Sequence, residues 1–196
     1  MNETMISAPS FDQARAEAFL EHSAGIVENG AIAVMMSLGH RAARFDTMAE
    51  LPPATSAQIA EHAGLAERYV REWLAVMVTG GIVEYDPANA VYALPAEHAA
   101  SLTRGAALGN IAVYAQHVAL MGAVQDPILD CFETGEGLRY EDYPHFHALM
   151  AEDSDQTVVD HLFKTILPMA PGLEERLEHG IEVLDAGCGR GHALIA

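Results

Sequence analysis

The sequence predicts a mainly α chain of the α+β class, with one short β-hairpin and, at its end, the opening strand and turn of an α/β sheet. Three observations carry that expectation. Apolar residues recur at helical spacing through most of the chain. Two short alternating runs, residues 82–85 and 90–94, flank the turn Asp86-Pro87-Ala88-Asn89. Finally, Ile181-Glu182-Val183-Leu184-Asp185 runs into glycines at 187, 189 and 191, which is how a Rossmann-like sheet turns from its first strand into its first helix.

Composition bounds the function. The chain has 196 residues, of which 51% are apolar, enough to bury a core. It carries 28 acids against 10 bases and a formal charge of −18, with Lys164 as its sole lysine, so it repels a phosphate backbone overall. That opposes nucleic acid and anionic membranes as partners. No run of about 18 apolar residues spans a bilayer, and Met1-Asn2-Glu3-Thr4 lacks the basic start of a signal peptide, so a cytoplasmic location is expected. Cys131 and Cys188 lie far apart without metal-ligand spacing and read as free thiols.

Residues 1–9 read as a frayed polar start. A first helix, capped by Ser10, carries Phe11, Arg15, Ala18, Phe19, Ile26 and Val27, and Gly30 is expected to interrupt it. A second helix, Ala31 to Phe45, carries Ile32, Met35, Met36, Leu38 and Ala42; its Met pair reads as core filling. Leu51-Pro52-Pro53 closes it. Thr55 or Ser56 caps a short helix through Ala63, Gly64 makes the turn, and Ala66 to Thr79 forms a helix with Tyr69, Val70, Trp73, Leu74 and Met77 facing inward.

A helix-turn-helix followed by a hairpin is a winged helix. Its usual use is DNA reading, with Glu67 to Arg71 entering the major groove. Here acids balance the arginines of Ala66-Glu67-Arg68-Tyr69-Val70-Arg71-Glu72, and the wing offers Glu84 and Asp86 where a DNA reader offers bases. Packing or dimerisation is the expected use.

Beyond the wing, Pro95 to Leu102 starts a helical stretch, and Leu108 to Val124 is a long, weakly charged helix that must be covered by its own domain, a twin chain or further protein. Asp126-Pro127 punctuates the chain before a loop, residues 133–138. Tyr140 to His147 is the one dense aromatic and imidazole cluster. An i, i+2 pair such as His145 and His147 suits a metal only on a strand, and Pro144 and the flanking acids suggest a loop entering a helix, so no metal site is expected. Tyr114, His117, His145 and Phe146 are candidate linings of a small-molecule pocket. A helix from Ser154 to Leu167 places Val158, Val159, Leu162, Phe163 and Ile166 on one face, Pro168 and Pro171 end it, and Leu173 to His179 is a polar helix.

Spacing sorts the ligands that the glycine turn could hold. The dinucleotide pattern G-x-G-x-x-G requires glycine at 192, where the residue is His192. A phosphate-cradling loop requires a Gly-Lys-Ser/Thr ending that is absent. The remaining pattern, apolar-apolar-Asp-x-Gly-x-Gly-x-Gly, resembles the first motif of class I S-adenosylmethionine-dependent methyltransferases. Glycines let the backbone approach a ligand, and Asp185 is an anionic acceptor suited to a ligand bearing an ammonium and a sulfonium.

A winged helix upstream of this motif resembles a subgroup of small-molecule and O-methyltransferases. So do Arg68-Tyr69-Val70-Arg71-Glu72-Trp73-Leu74, Gly80-Gly81-Ile82-Val83 and Thr165-Ile166-Leu167-Pro168. The resemblance implies that residues 1–100 form N-terminal helices and a winged-helix dimerisation domain. Residues 101–178 would be a helical linker and substrate-covering region, and 179–196 the start of a truncated Rossmann-like methyltransferase domain. It further implies S-adenosylmethionine as cofactor in the full-length protein, a small-molecule substrate, a homodimer, and Asp185, Gly187, Gly189 and Gly191 as cofactor-binding residues. An acid about 20 residues onward, expected to hold the ribose, lies past Ala196. No catalytic residue is therefore assigned, and the chain is expected to be inactive alone, with Ile181 to Leu184 disordered or paired with another copy. A non-enzymatic winged-helix regulator or interaction module is the alternative.

Overall fold

The computed structural model describes residues 11–106 and 109–196. The expected cap at Ser10, the polar start at 1–9 and the expected helix start at Leu108 lie outside the described residues.

One uninterrupted helix, α1 (Gln13–Arg41), replaces the two expected on either side of Gly30; Asp12 caps it, accepting from the Arg15 N–H at 3.1 Å. Glycine costs a helix about 1 kcal/mol but keeps its N–H, so Gly30 weakens the ladder without breaking it. The break falls instead at Ala42-Ala43, where Ala43 turns left-handed (φ 51°) and Phe45 enters a separate helix, α2 (Arg44–Glu50). Most of residues 13–29 is exposed, including Phe19, Leu20 and Val27.

The helix-turn-helix forms as the spacing dictates. Thr55 starts α3 (Ser56–Ala63) with a reciprocal capping box to Gln58, and Gly64 (φ 64°) ends it. In α4 (Glu67–Thr79), Val70, Trp73, Leu74 and Met77 are buried completely. Tyr69, expected inward, is 69% exposed. At 100° per residue it lies about a quarter turn off the stripe set by 70, 73, 74 and 77.

Trp73 is the centre of the core. Its indole N–H donates to the Met35 carbonyl at 2.8 Å, and its ring meets Phe45 edge-on at 5.3 Å. Met35 and Met36 pack against this cluster, together with Ile59 and Val83. Gly39 on α1 lets the indole close in, because a Cβ there would sit 2.6 Å from Trp73 Cζ2.

The wing is an antiparallel pair, β1 (Glu84–Asp86) and β2 (Val91–Ala93), in the register Tyr85 opposite Tyr92. Asp86 accepts from the Ala88 N–H and the Asn89 side chain, fixing the turn. Ala54, just past the expected Pro52-Pro53 turn, forms a one-residue bridge to Tyr92 that extends the hairpin.

After the one-turn α5 (Ala96–Ala99), Asn110 caps α6 (Ile111–Ala123), which packs along α1. The chain then runs directly into α7 (Gln125–Thr134), which Gly135 ends in a left-handed cap, and the expected loop at 133–138 follows with only its first two residues taken into the helix. Pro127 sits in its first turn, where no intrahelical donor is needed, so Asp126-Pro127 starts structure instead of ending it.

The helix expected from Ser154 begins eight residues earlier. Helix α8 (Phe146–Ser154) continues without a gap into π-helical turns at Asp155–Val159 and Leu162–Ile166 and a 3₁₀ turn at Leu167–Met169. Val158, Phe163 and Ile166 remain partly exposed along it. Helix α9 (Leu173–Glu178) follows, then the glycine turn and a final single turn, α10 (His192–Ile195). Residues 181–184 pair with no other strand among the described residues. No described helix is long and apolar enough to cross a membrane.

Candidate functional site

The glycine turn is held open by its backbone. Gly187, Gly189 and Gly191 adopt φ of 87°, 55° and 76°, conformations that L side chains rarely take. A Cβ at any of the three would meet nothing within 4 Å, so open space adjoins all three backbones. The Gly191 N–H donates to the Cys188 carbonyl at 2.7 Å, tightening the turn into α10.

The opposite wall is α8 and the π turn after it. Between them and the turn lies a cavity of about 260 Å³ to which Asp185, Gly187 and Gly189 contribute, facing His147, Met150 and Val158. The two walls are tied by His192, whose Nδ1–H donates to Asp155 Oδ1 at 2.7 Å.

Helix α8 is fixed in turn to the N-terminal helices. His40, buried on α1, donates from Nε2 to Glu152 Oε1 at 2.7 Å and accepts at Nδ1 from the Asn110 side-chain amide at 3.3 Å. Asn110 Oδ1 accepts the Ala112 N–H at 2.9 Å, which sets the amide orientation and hence the His40 tautomer. Gln116 donates to the other Glu152 oxygen at 2.7 Å. Burial by itself would raise the Glu152 carboxyl; hydrogen bonds from Gln116 and His40 and the charge of Arg104 outweigh it and hold the group below its ordinary value. Arg104 closes the junction by donating to the His40 carbonyl and pairing with Asp46.

The four candidate pocket residues do not converge on the glycine turn. Tyr114 opens on a separate cavity of about 790 Å³ with Gln156, His161 and Lys164. Its phenol is raised by desolvation and then by the nearby Asp153. His117 stacks on Tyr114 at 6.2 Å. His145, the left-handed cap of α8, lines a third cavity with Ser37 and Gln116, and Phe146 sits in an aromatic stack with Tyr140 and Tyr143. His145 and His147 thus face different cavities.

The sequence names His147 and Val158 but does not bring them together at the turn, because its spacing starts the helix at Ser154 instead of Phe146. Once α8 begins at Phe146, His147, Met150, Ala151 and Ser154 follow an i, i+3, i+4, i+7 stripe, a signal that was present in the sequence.

The helix-turn-helix and its wing have a recognised counterpart. Residues 30–104 match the Rv2258c-like winged HTH domain. No curated protein sequence matches the chain. Human N-acetylserotonin methyltransferase, in a structure with SAM, is 16% identical at a TM-score of 0.52, covering 69% of this chain and 39% of its own. PigF, in a structure with SAH, is 17% identical at a TM-score of 0.51, covering 94% of this chain and 54% of its own. At such identities the likeness is one of fold. The chain spans about half or less of the length of these two structures. The winged HTH domain and the helices after it thus share a fold with part of those larger proteins.

Proposed function

We propose that this chain is the N-terminal portion of an S-adenosylmethionine-dependent methyltransferase acting on a small molecule. In this reading residues 1–100 dimerise, 101–178 cover the substrate and 179–196 open the cofactor domain. The observation that carries it is the cavity in which Asp185 and the left-handed Gly187 and Gly189, with Gly191 closing the turn, face α8.

The residues present fit part of such a cofactor. Open space beside Gly187, Gly189 and Gly191 would admit a ligand against the main chain, and Asp185 would accept from its polar groups. When bound, S-adenosylmethionine supplies a methyl group already activated on a sulfonium. The chain's own contribution is to bind and align and, through α8, to exclude water, which is where much of such a rate arises. The methyltransferase and PigF structures solved with SAM and SAH support this choice of cofactor.

Dimerisation is supported by Phe19, Leu20, Ile26 and Val27, exposed together on α1 of a chain rich in apolar residues. Absence of nucleic-acid binding is supported by the acidic charge.

Calorimetric titration with S-adenosylmethionine tests the reading. No measurable binding is expected for the 196-residue chain, and stoichiometric binding for a chain carrying a completed α/β domain. Tight binding by the former contradicts inactivity alone, and no binding by the latter rejects the function. A salt-sensitive shift of duplex DNA by the purified chain would favour a winged-helix regulator instead.

A further inference from the structure

Asp155 stands at the start of the first π turn, three residues beyond Glu152. These two carboxylates bond imidazoles from opposite directions in the chain. Glu152 accepts from His40 of the winged-domain helices, and Asp155 accepts from His192 at the end of the glycine turn, each at 2.7 Å. The two carboxylates stand three residues apart at the end of α8 and the start of the π turn, close neighbours on the helix surface. We propose that Asp155 is a positioning residue that sets the glycine turn through His192, and that α8 is the strut transmitting this position from the winged domain through Glu152 and His40. The inference rests on the reading of that turn as a cofactor loop.

The geometry gives the strut its stiffness. At the winged end, Glu152 is held on both oxygens, by His40 and Gln116, and Gln156 exchanges two hydrogen bonds with the Asn110 main chain, at 2.8 and 3.3 Å. At the loop end, Asp155 alone provides a side-chain hydrogen bond from α8 or its π turns to residues 185–196 among the described residues. The turn's own bonds are local, Cys188 to Gly191 and Gly191 to Leu194, so they fix its shape without fixing its place. A single specific anchor on a loop with three left-handed glycines decides where the loop sits.

Amide exchange on the full chain tests this. Both partners are half-buried at the surface and belong to neither hydrophobic cluster, so substitutions at 155 and 192 leave the core intact. Asp155→Ala is expected to speed exchange of the Gly191 and Leu194 amides about two- to tenfold, the worth of one surface-accessible hydrogen bond. Asp155→Asn, whose amide oxygen still accepts from Nδ1–H, is expected to restore wild-type exchange, with Val70 to Met77 unchanged throughout. Glu152→Ala is expected to speed the same loop amides while Asp155 is intact. Equal exchange in Asp155→Ala and wild type overturns the proposal, as does acceleration in Asp155→Asn matching that in Asp155→Ala. Loop amides unmoved by Glu152→Ala overturn the strut. None of these readouts involves cofactor, so failure of S-adenosylmethionine to bind the completed enzyme would reject the functional reading and leave this result standing.

Discussion

His40 Nε2 donates to Glu152 Oε1 at 2.7 Å, joining residues 112 positions apart and fastening α8 to the buried end of α1. The Glu152 carboxyl is held below its ordinary value in the folded chain. A depressed folded-state value contributes stability that is fully present above the unfolded value and is lost as pH falls through the folded one. The thermal midpoint is therefore expected to drop as pH falls below about 4.3, the usual glutamate range. Glu152→Gln should lower the midpoint at pH 7 and flatten that acid-side fall. An unchanged acid slope in Glu152→Gln would show that the group does not contribute.

Gly39→Ala tests the close approach of α1 to Trp73. Alanine is the better helix former by about 1 kcal/mol. The added Cβ would nonetheless sit 2.6 Å from Trp73 Cζ2 and 2.9 Å from Phe45 Cε2, against rings with no free space. Overpacking is expected to prevail, with a net loss of about 1–3 kcal/mol by urea denaturation.

Neighbouring positions on α4 should behave oppositely. Leu74→Ala empties a site that is fully buried and should cost about 2–5 kcal/mol. Tyr69→Ala removes a larger side chain that is 69% exposed and should stay within about 0.5 kcal/mol. Comparable losses at both positions by denaturant melting would contradict the orientation of α4.

Thr55→Ala breaks the capping box, in which Thr55 Oγ1 accepts from the Gln58 N–H and Gln58 Oε1 accepts from the Thr55 N–H. A loss of about 1 kcal/mol is expected. Thr55→Ser, which keeps the oxygen, should recover most of it.

Exposed apolar residues on α1 predict self-association. Phe19→Glu together with Val27→Glu should move the sedimentation mass from a dimer toward the 21.0 kDa chain without lowering helical content. An unmodified chain that sediments as a monomer up to about 100 μM, two decades above a micromolar dissociation constant, would refute the dimer.

Local chemistry made the winged domain readable from sequence alone. Thr55, Gly64 and Gly80 punctuate two helices, and Asp86 and Asn89 mark the wing turn, because caps and turns depend on residues a few positions apart. The alternate glycines before His192 likewise fixed the character of the loop, since left-handed backbone is a property of single residues. Where tertiary contacts outweigh such signals, the sequence misled: Gly30 lies within a helix anchored further along by α6 and Trp73, and Pro127 begins a helix. The π turns carry no residue signature, so the placement of Asp155 against His192 and of His147 against the glycines was decided only by the packing of α8. That packing rests on His40, Asn110, Gln116 and Glu152, polar residues up to 112 positions apart. No local pattern marks them as partners, because a hydrogen bond across the fold exists only once the helices that carry its two ends have met.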